Sequence, residues 1–140
     1  MMMKLGLAEI LKKTSEFEKK QDRMEYLNKW DSAALRALLK YAYDPKVKFL
    51  LPEGAPPYKV NDLPDLQSVL YSELRKLYLF IEGGNPNLKQ VRREYLFIQM
   101  LENLDKEDAE LLLAVKDKKI PYKGITKKFV EEMFPGLLEG

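Results

Sequence analysis

The residues with the clearest chemical potential lie near one end of the chain. Between Lys116 and Lys128 stand six lysines, Lys116, Lys118, Lys119, Lys123, Lys127 and Lys128, against one aspartate, on a chain whose net charge is +2. Among them runs the step Gly124-Ile125-Thr126, in a loop that also holds Pro121. This step leads into a short helix expected to begin at Thr126 and to stop at Pro135-Gly136. A helix N-terminus presents backbone N–H groups without intrahelical partners, and the helix dipole favours an anion there. Flanking lysines add point charges, so the chemistry indicated is phosphate binding. A second basic group, Lys89, Arg92 and Arg93, opens an earlier helix, where Lys89 and Arg93 are four apart and share a face. Lysines that neutralise phosphates release counterions and give affinity that falls steeply with salt.

Catalytic chemistry is harder to find. The chain has no cysteine and no histidine. That argues against structural zinc, iron–sulfur and haem centres, and against Ser-His or Cys-His pairs. No Walker loop, no GxGxxG and no Lys-x-Asp-Gly occurs. The adjacent carboxylates Glu107-Asp108 and Glu131-Glu132 point to different sides of a helix and read as solvated surface. No enzyme activity, cofactor or metal is therefore expected.

The elements that must hold the lysines in place read as helices. At 140 residues the chain suffices for one domain with its own core, and 46% hydrophobic with 33% charged residues is ordinary for a globular protein. No apolar run reaches the roughly 20 residues of a membrane span, and the first residues lack a signal-peptide pattern. The expected address is the cytoplasm, with no membrane partner. Leu5, Leu7, Ile10 and Leu11 indicate a first helix. Ser15 with Glu18 has the capping-box spacing and opens a second, towards Asn28, with Phe17, Met24 and Leu27 inward. Asp31 is the expected N-cap of a third, where Leu35, Leu38, Leu39 and Ala42 share a face and Asp44-Pro45 ends the run.

Residues 45–64 hold five of the eight prolines and read as an irregular connector with at most a short extended piece around Val47–Leu51. From Asp65 a strong helical pattern runs through Leu66, Val69, Leu70, Leu74, Leu77, Phe80 and Ile81, closed by Gly83-Gly84. Asn85-Pro86-Asn87 starts the next helix, with Leu88, Val91, Tyr95, Ile98 and Leu101 inward. Asp105 with Asp108 caps a sixth, where Leu111, Leu112 and Val115 face the core. Ile125 and Val130 bracket Thr126 as a hydrophobic staple for the last. The expectation is an all-α single domain of about seven helices over residues 1–140.

The run from Lys123 to Leu138, with Gly124-Ile125-Thr126 entering a helix that closes in Phe134-Pro135-Gly136-Leu137-Leu138, resembles the end of the N-terminal DNA-binding domain of phage-type ATP-dependent DNA ligases. That family has a Gly-Val-Ser-type step and a Trp/Phe-Pro-Gly-Leu-Ile close. Less distinctively, Glu107–Asp117, Leu74–Ile81 with Gly83-Gly84-Asn85, and the Tyr41–Pro45 step also match its outline. The resemblance implies that Lys123, Gly124, Ile125, Thr126 and Lys127 lie against a phosphate backbone. Gly124 would allow close approach, Thr126 would cap the helix or bond a phosphate oxygen, and the lysines would act as charges. Phe134-Pro135-Gly136-Leu137 would fix the helix end. The chain departs from the family in carrying no adenylation motif, and segment 45–64 matches poorly. Ile120 to Lys128 also resembles the Pro-x-x-Gly-hydrophobic-Gly turn of a helix-hairpin-helix, with Thr126 in place of the second glycine.

The leading expectation is a non-catalytic DNA-binding protein of phage type that contacts the backbone of double-stranded DNA. Its contacts would be Lys118, Lys119, Lys123, Gly124, Ile125, Thr126, Lys127 and Lys128, with Lys89 and Arg93. The alternative is a phage adaptor, without DNA binding, that engages a replication or host protein through exposed aromatics among Tyr43, Tyr58, Tyr71 and Tyr78. Either would act in the host cytoplasm if phage-encoded.

Overall fold

A computed structural model describes residues 5–61 and 69–138. The expected start of the fourth helix at Asp65-Leu66, and the end of the proline-rich connector, lie outside those residues. The described chain is all-helical and forms one compact domain: α1 (Leu7–Ser15), α2 (Lys20–Lys29), α3 (Ala33–Tyr43), α4 (Val69–Glu73), α5 (Gln90–Glu102), α6 (Lys106–Lys116) and α7 (Lys127–Met133). A 3-10 segment, Leu74–Phe80, continues α4. Among the described residues there is no strand, only isolated bridges Phe49–Ile81 and Asn61–Asp105. The extended piece foreseen near Val47–Leu51 is the first of these, with the Leu50 amide donating to Phe80 O at 2.7 Å and the Glu82 amide to Lys48 O at 2.8 Å. No helix among the described residues is long and apolar enough to cross a membrane.

Helix α6 is the hub, packing on α1, α3 and α5. Asp105 starts it by accepting from the Asp108 amide at 2.7 Å, as the sequence pattern indicates. Leu111, Leu112 and Val115 are buried, and so are Leu35, Leu38, Leu39 and Ala42 of α3 facing them. The 3-10 stretch also has a sequence cause. Leu74, Leu77 and Phe80 repeat every third residue, and a 3-10 helix stacks such positions on one edge, where all three are buried.

Three local expectations are corrected. Ser15 does not cap α2; its hydroxyl donates back to Lys12 O at 2.6 Å and closes α1, and α2 begins only at Lys20. Phe17, expected inward, is exposed and packs on Tyr26. Ser32, not Asp31, caps α3 by accepting from the Leu35 amide at 3.0 Å. Asp31 instead holds Arg36 through two hydrogen bonds of 2.8 and 2.6 Å, which keep its carboxyl below the usual range.

The largest correction concerns α5. It starts at Gln90 rather than at Asn85, and it buries Arg93, Phe97, Met100 and Leu101. Val91 is 83% exposed and Tyr95 is 50% exposed, although both were expected inward. Two stripes compete on this helix, and the one that seats Phe97 edge-on against Phe80, ring centroids 5.2 Å apart, wins.

Asp108, expected at the surface, is buried. One carboxyl oxygen accepts from the Ala8 amide of α1 at 3.0 Å, and the other lies in the interior without a partner. Burial pushes its pKa up to about 7, the Ala8 N–H works against that rise, and the charges of Asp105 and Glu107 add to it. An Asp that titrates at 3.8 when unfolded thus keeps its proton longer when folded. Its contribution to stability is complete below about pH 4 and is lost as pH rises through about 7. Asp108→Asn keeps the acceptor for Ala8 and removes the ionisation. The urea midpoint of the natural chain should fall, relative to Asp108→Asn, between about pH 4 and pH 7 and level off above that. Parallel profiles would show that Asp108 does not ionise in this window.

Candidate phosphate-binding loop

The basic loop is built from the end of α6. Its Lys119 amide donates to Ala114 O and its Lys118 amide to Val115 O, both at 2.9 Å. This is the Schellman pattern, in which the second residue past the helix end takes a left-handed conformation, a place that favours glycine. Here a lysine occupies it, with φ +63°. The strain, about 1 kcal/mol or somewhat more, is offset by what the side chain does. Lys118 Nζ donates to Tyr41 O at 2.7 Å and Asp44 O at 2.8 Å, carbonyls at the end of α3. Burial lowers its pKa, the Asp44 charge opposes that shift, and the nearby Lys127 charge adds to it.

Lys118 is therefore a strut between two helix ends, its ammonium committed to their carbonyls and not to the phosphate contact expected of it. Lys116, in the same sequence cluster, is likewise spent. Its side chain is 1% exposed, and its ammonium donates to Pro52 O at 2.8 Å and Asp117 Oδ1 at 2.6 Å. It forms part of the lining of a cleft of about 260 Å³ between the proline-rich segment and α5, where it holds that segment down.

The far end of the loop is held by the same helix. Tyr43 of α3 donates its hydroxyl to Ile125 O at 2.5 Å. The Ile125 side chain is buried with that of Val130, the expected staple, so Ile125 is core and not a DNA contact. Thr126 caps α7 by accepting from the Phe129 amide at 3.1 Å. Thr126 as a residue is exposed, and its hydroxyl retains a proton to donate.

Gly124 has φ +84°, so glycine is needed, but the neighbour it admits is Arg23. A Cβ there would lie 2.9 Å from Arg23 Nε and 3.0 Å from Cζ. Arg23 also donates to Phe17 O and Glu18 O and places its guanidinium 5.7 Å from the centre of the Phe129 ring. The close approach attributed to a phosphate is thus taken by an arginine from α2. Nothing in the sequence pairs Arg23 with Gly124; the contact follows from how α2 folds back.

Lys119, Lys123, Lys127 and Lys128 are exposed. Among the described residues none of the four has a carboxylate within ion-pair distance. By contrast Lys20 pairs with Glu132 and Lys12 with Glu107. Arg93 does not join them. It is 5% exposed, and it donates to Leu79 O at 2.9 Å, Gln90 Oε1 at 2.6 Å and Asn85 O at 3.2 Å, tying the Gly83-Gly84 turn to α5. Lys89 is exposed at the start of α5, which packs on α6 and the 3-10 segment, not within the loop. The arrangement can present four ammonium groups and one hydroxyl from a pinned backbone to an extended anion.

Four substitutions test this division. Lys118→Met should cost about 1–2 kcal/mol in denaturant unfolding, because two helix-end carbonyls lose a charged donor, while Lys119→Met should stay within about 0.5 kcal/mol. Gly124→Ala should destabilise by about 1–2 kcal/mol, and in an Arg23→Ala background the part due to the clash should vanish. Equal costs at 118 and 119 would remove the strut.

Comparison with known proteins supplies a family. No curated protein matches the chain. A family model described as a family of unknown function, DUF6433, matches residues 10–122, from within α1 to Tyr122 in the basic loop. That stretch is well over half of the 140 residues, and the chain belongs to the DUF6433 family.

Proposed function

We propose that this DUF6433 protein binds the phosphate backbone of double-stranded DNA, without catalysis and without reading sequence. The observation that carries the proposal is the set of four exposed lysines with no carboxylate partner among the described residues, Lys119 and Lys123 on a loop fixed at both ends and Lys127 and Lys128 in the first turn of the helix that follows it. A pinned loop loses little conformational entropy on binding, which favours charges held there over charges on free side-chain arrays. Support of a different kind comes from the likeness of Lys123–Leu138 to the end of the ligase N-terminal DNA-binding domain. Thr126 adds a hydroxyl for a phosphate oxygen; Lys89, apart at the start of α5, is not part of this surface. The reading places the protein in the cytoplasm of its host, in keeping with the phage-type resemblance.

Each ammonium that neutralises a phosphate contributes about one unit to the slope of log affinity against log salt. The slope for a labelled duplex, measured by anisotropy across salt concentrations, should be about −3 to −4. Lys123→Glu with Lys127→Glu should flatten it by about two units while the helical spectrum stays unchanged. Absence of binding to any duplex at low salt contradicts the reading.

A further inference from the structure

Helix α5 presents a second surface that the DNA reading does not use. With Arg93, Phe97 and Met100 turned inward, Val91 and Tyr95, one turn apart, are left 83% and 50% exposed. They line a shallow dent together with Lys89 and Arg92. The Arg92 guanidinium lies 5.4 Å from the centre of the Tyr95 ring, and the Tyr95 hydroxyl accepts from Gln99 Nε2 at 3.0 Å. The ring is thereby held in place rather than swinging freely in solvent. Among the described residues neither Lys89 nor Arg92 has a carboxylate within ion-pair distance.

We propose that this α5 face docks an acidic segment of a partner protein, one that carries an apolar side chain flanked by carboxylates. The apolar side chain would seat on Val91 and Tyr95, and the carboxylates would meet Lys89 and Arg92. Charge complementarity decides the partner's sign, and an apolar centre with a polar rim is the usual anatomy of a protein interface. A nucleobase fits less well. A guanidinium already sits over the one aromatic ring, and Val91 offers a branched aliphatic surface with no π-face for stacking. The face depends on none of the loop lysines, so the two surfaces stand or fall separately. The four tyrosines of the adaptor alternative do not form this face. Tyr43 donates to Ile125 O, Tyr71 donates to Leu5 O, and Tyr58 is half-buried. Tyr78 alone of the four is exposed, and it does not line this dent.

The test uses the full chain labelled with nitrogen-15 and three probes. These are a short peptide in which Leu and Phe alternate with Asp and Glu, the same peptide with Asn and Gln for the acids, and a short oligothymidylate. The acidic peptide is expected to shift amides between residues 89 and 99. Val91→Asp and Arg92→Glu should each weaken it by about tenfold, and Lys123→Glu with Lys127→Glu should leave it unchanged. Equal binding of the amide peptide overturns the charge complementarity. Shifts at the same amides from oligothymidylate in place of the acidic peptide overturn the choice of partner. Absence of α5 shifts with the acidic peptide at millimolar concentration overturns the docking face.

Discussion

One lysine in a left-handed turn holds the end of α6 to the end of α3, and the basic loop takes its position from that contact. The last carbonyls of a helix need donors from outside it. Lys118 provides them for Tyr41 and Asp44, and its own backbone closes α6 in the same turn. Seven residues later the chain returns to α3, where Tyr43 takes the carbonyl of Ile125. A single helix end therefore clamps both ends of the loop, and Thr126 starts α7 from that fixed point. The four lysines that remain exposed are displayed by this clamp.

The division among neighbouring lysines is the main physical result. Six of them look alike as a charge run. In the fold, Lys116 is an interior tie to the proline-rich segment and Lys118 a strut, while Lys119, Lys123, Lys127 and Lys128 face solvent. Charge counting treats all six as one patch; burial and hydrogen bonding separate them. Arg93 repeats the lesson in α5, where a residue four positions from an exposed lysine is enclosed by three acceptors. Long cationic side chains serve as donors to stranded carbonyls as readily as they meet phosphates.

Much of the fold was legible because its signals are local. The caps at Asp105 and Thr126, the staple of Ile125 with Val130, and the apolar face of α3 all depend on residues a few positions apart. Where two local patterns compete, the sequence alone misleads. Ser15 closes α1 although its spacing to Glu18 fits a start for α2, Ser32 caps α3 beside Asp31, and the face of α5 turns on whether Phe97 or Tyr95 meets Phe80. The parts of the site that could not be read are long-range. Arg23 over Gly124, Tyr43 to Ile125 and Asp108 to Ala8 join residues distant in the chain, and a lysine in a turn that favours glycine carries no local signature.

The claim that the basic run contains two structural lysines and four available ones is tested most directly by residue-resolved amine labelling. Acetylation of each lysine would be followed by mass spectrometry, with and without a DNA duplex at low salt. The account predicts fast labelling of Lys119, Lys123, Lys127 and Lys128 in the free protein, slowed at all four by the duplex, with Lys116 and Lys118 slow in both states. Rapid labelling of Lys118 in the free protein, or labelling of the four exposed lysines that the duplex leaves unchanged, would contradict it.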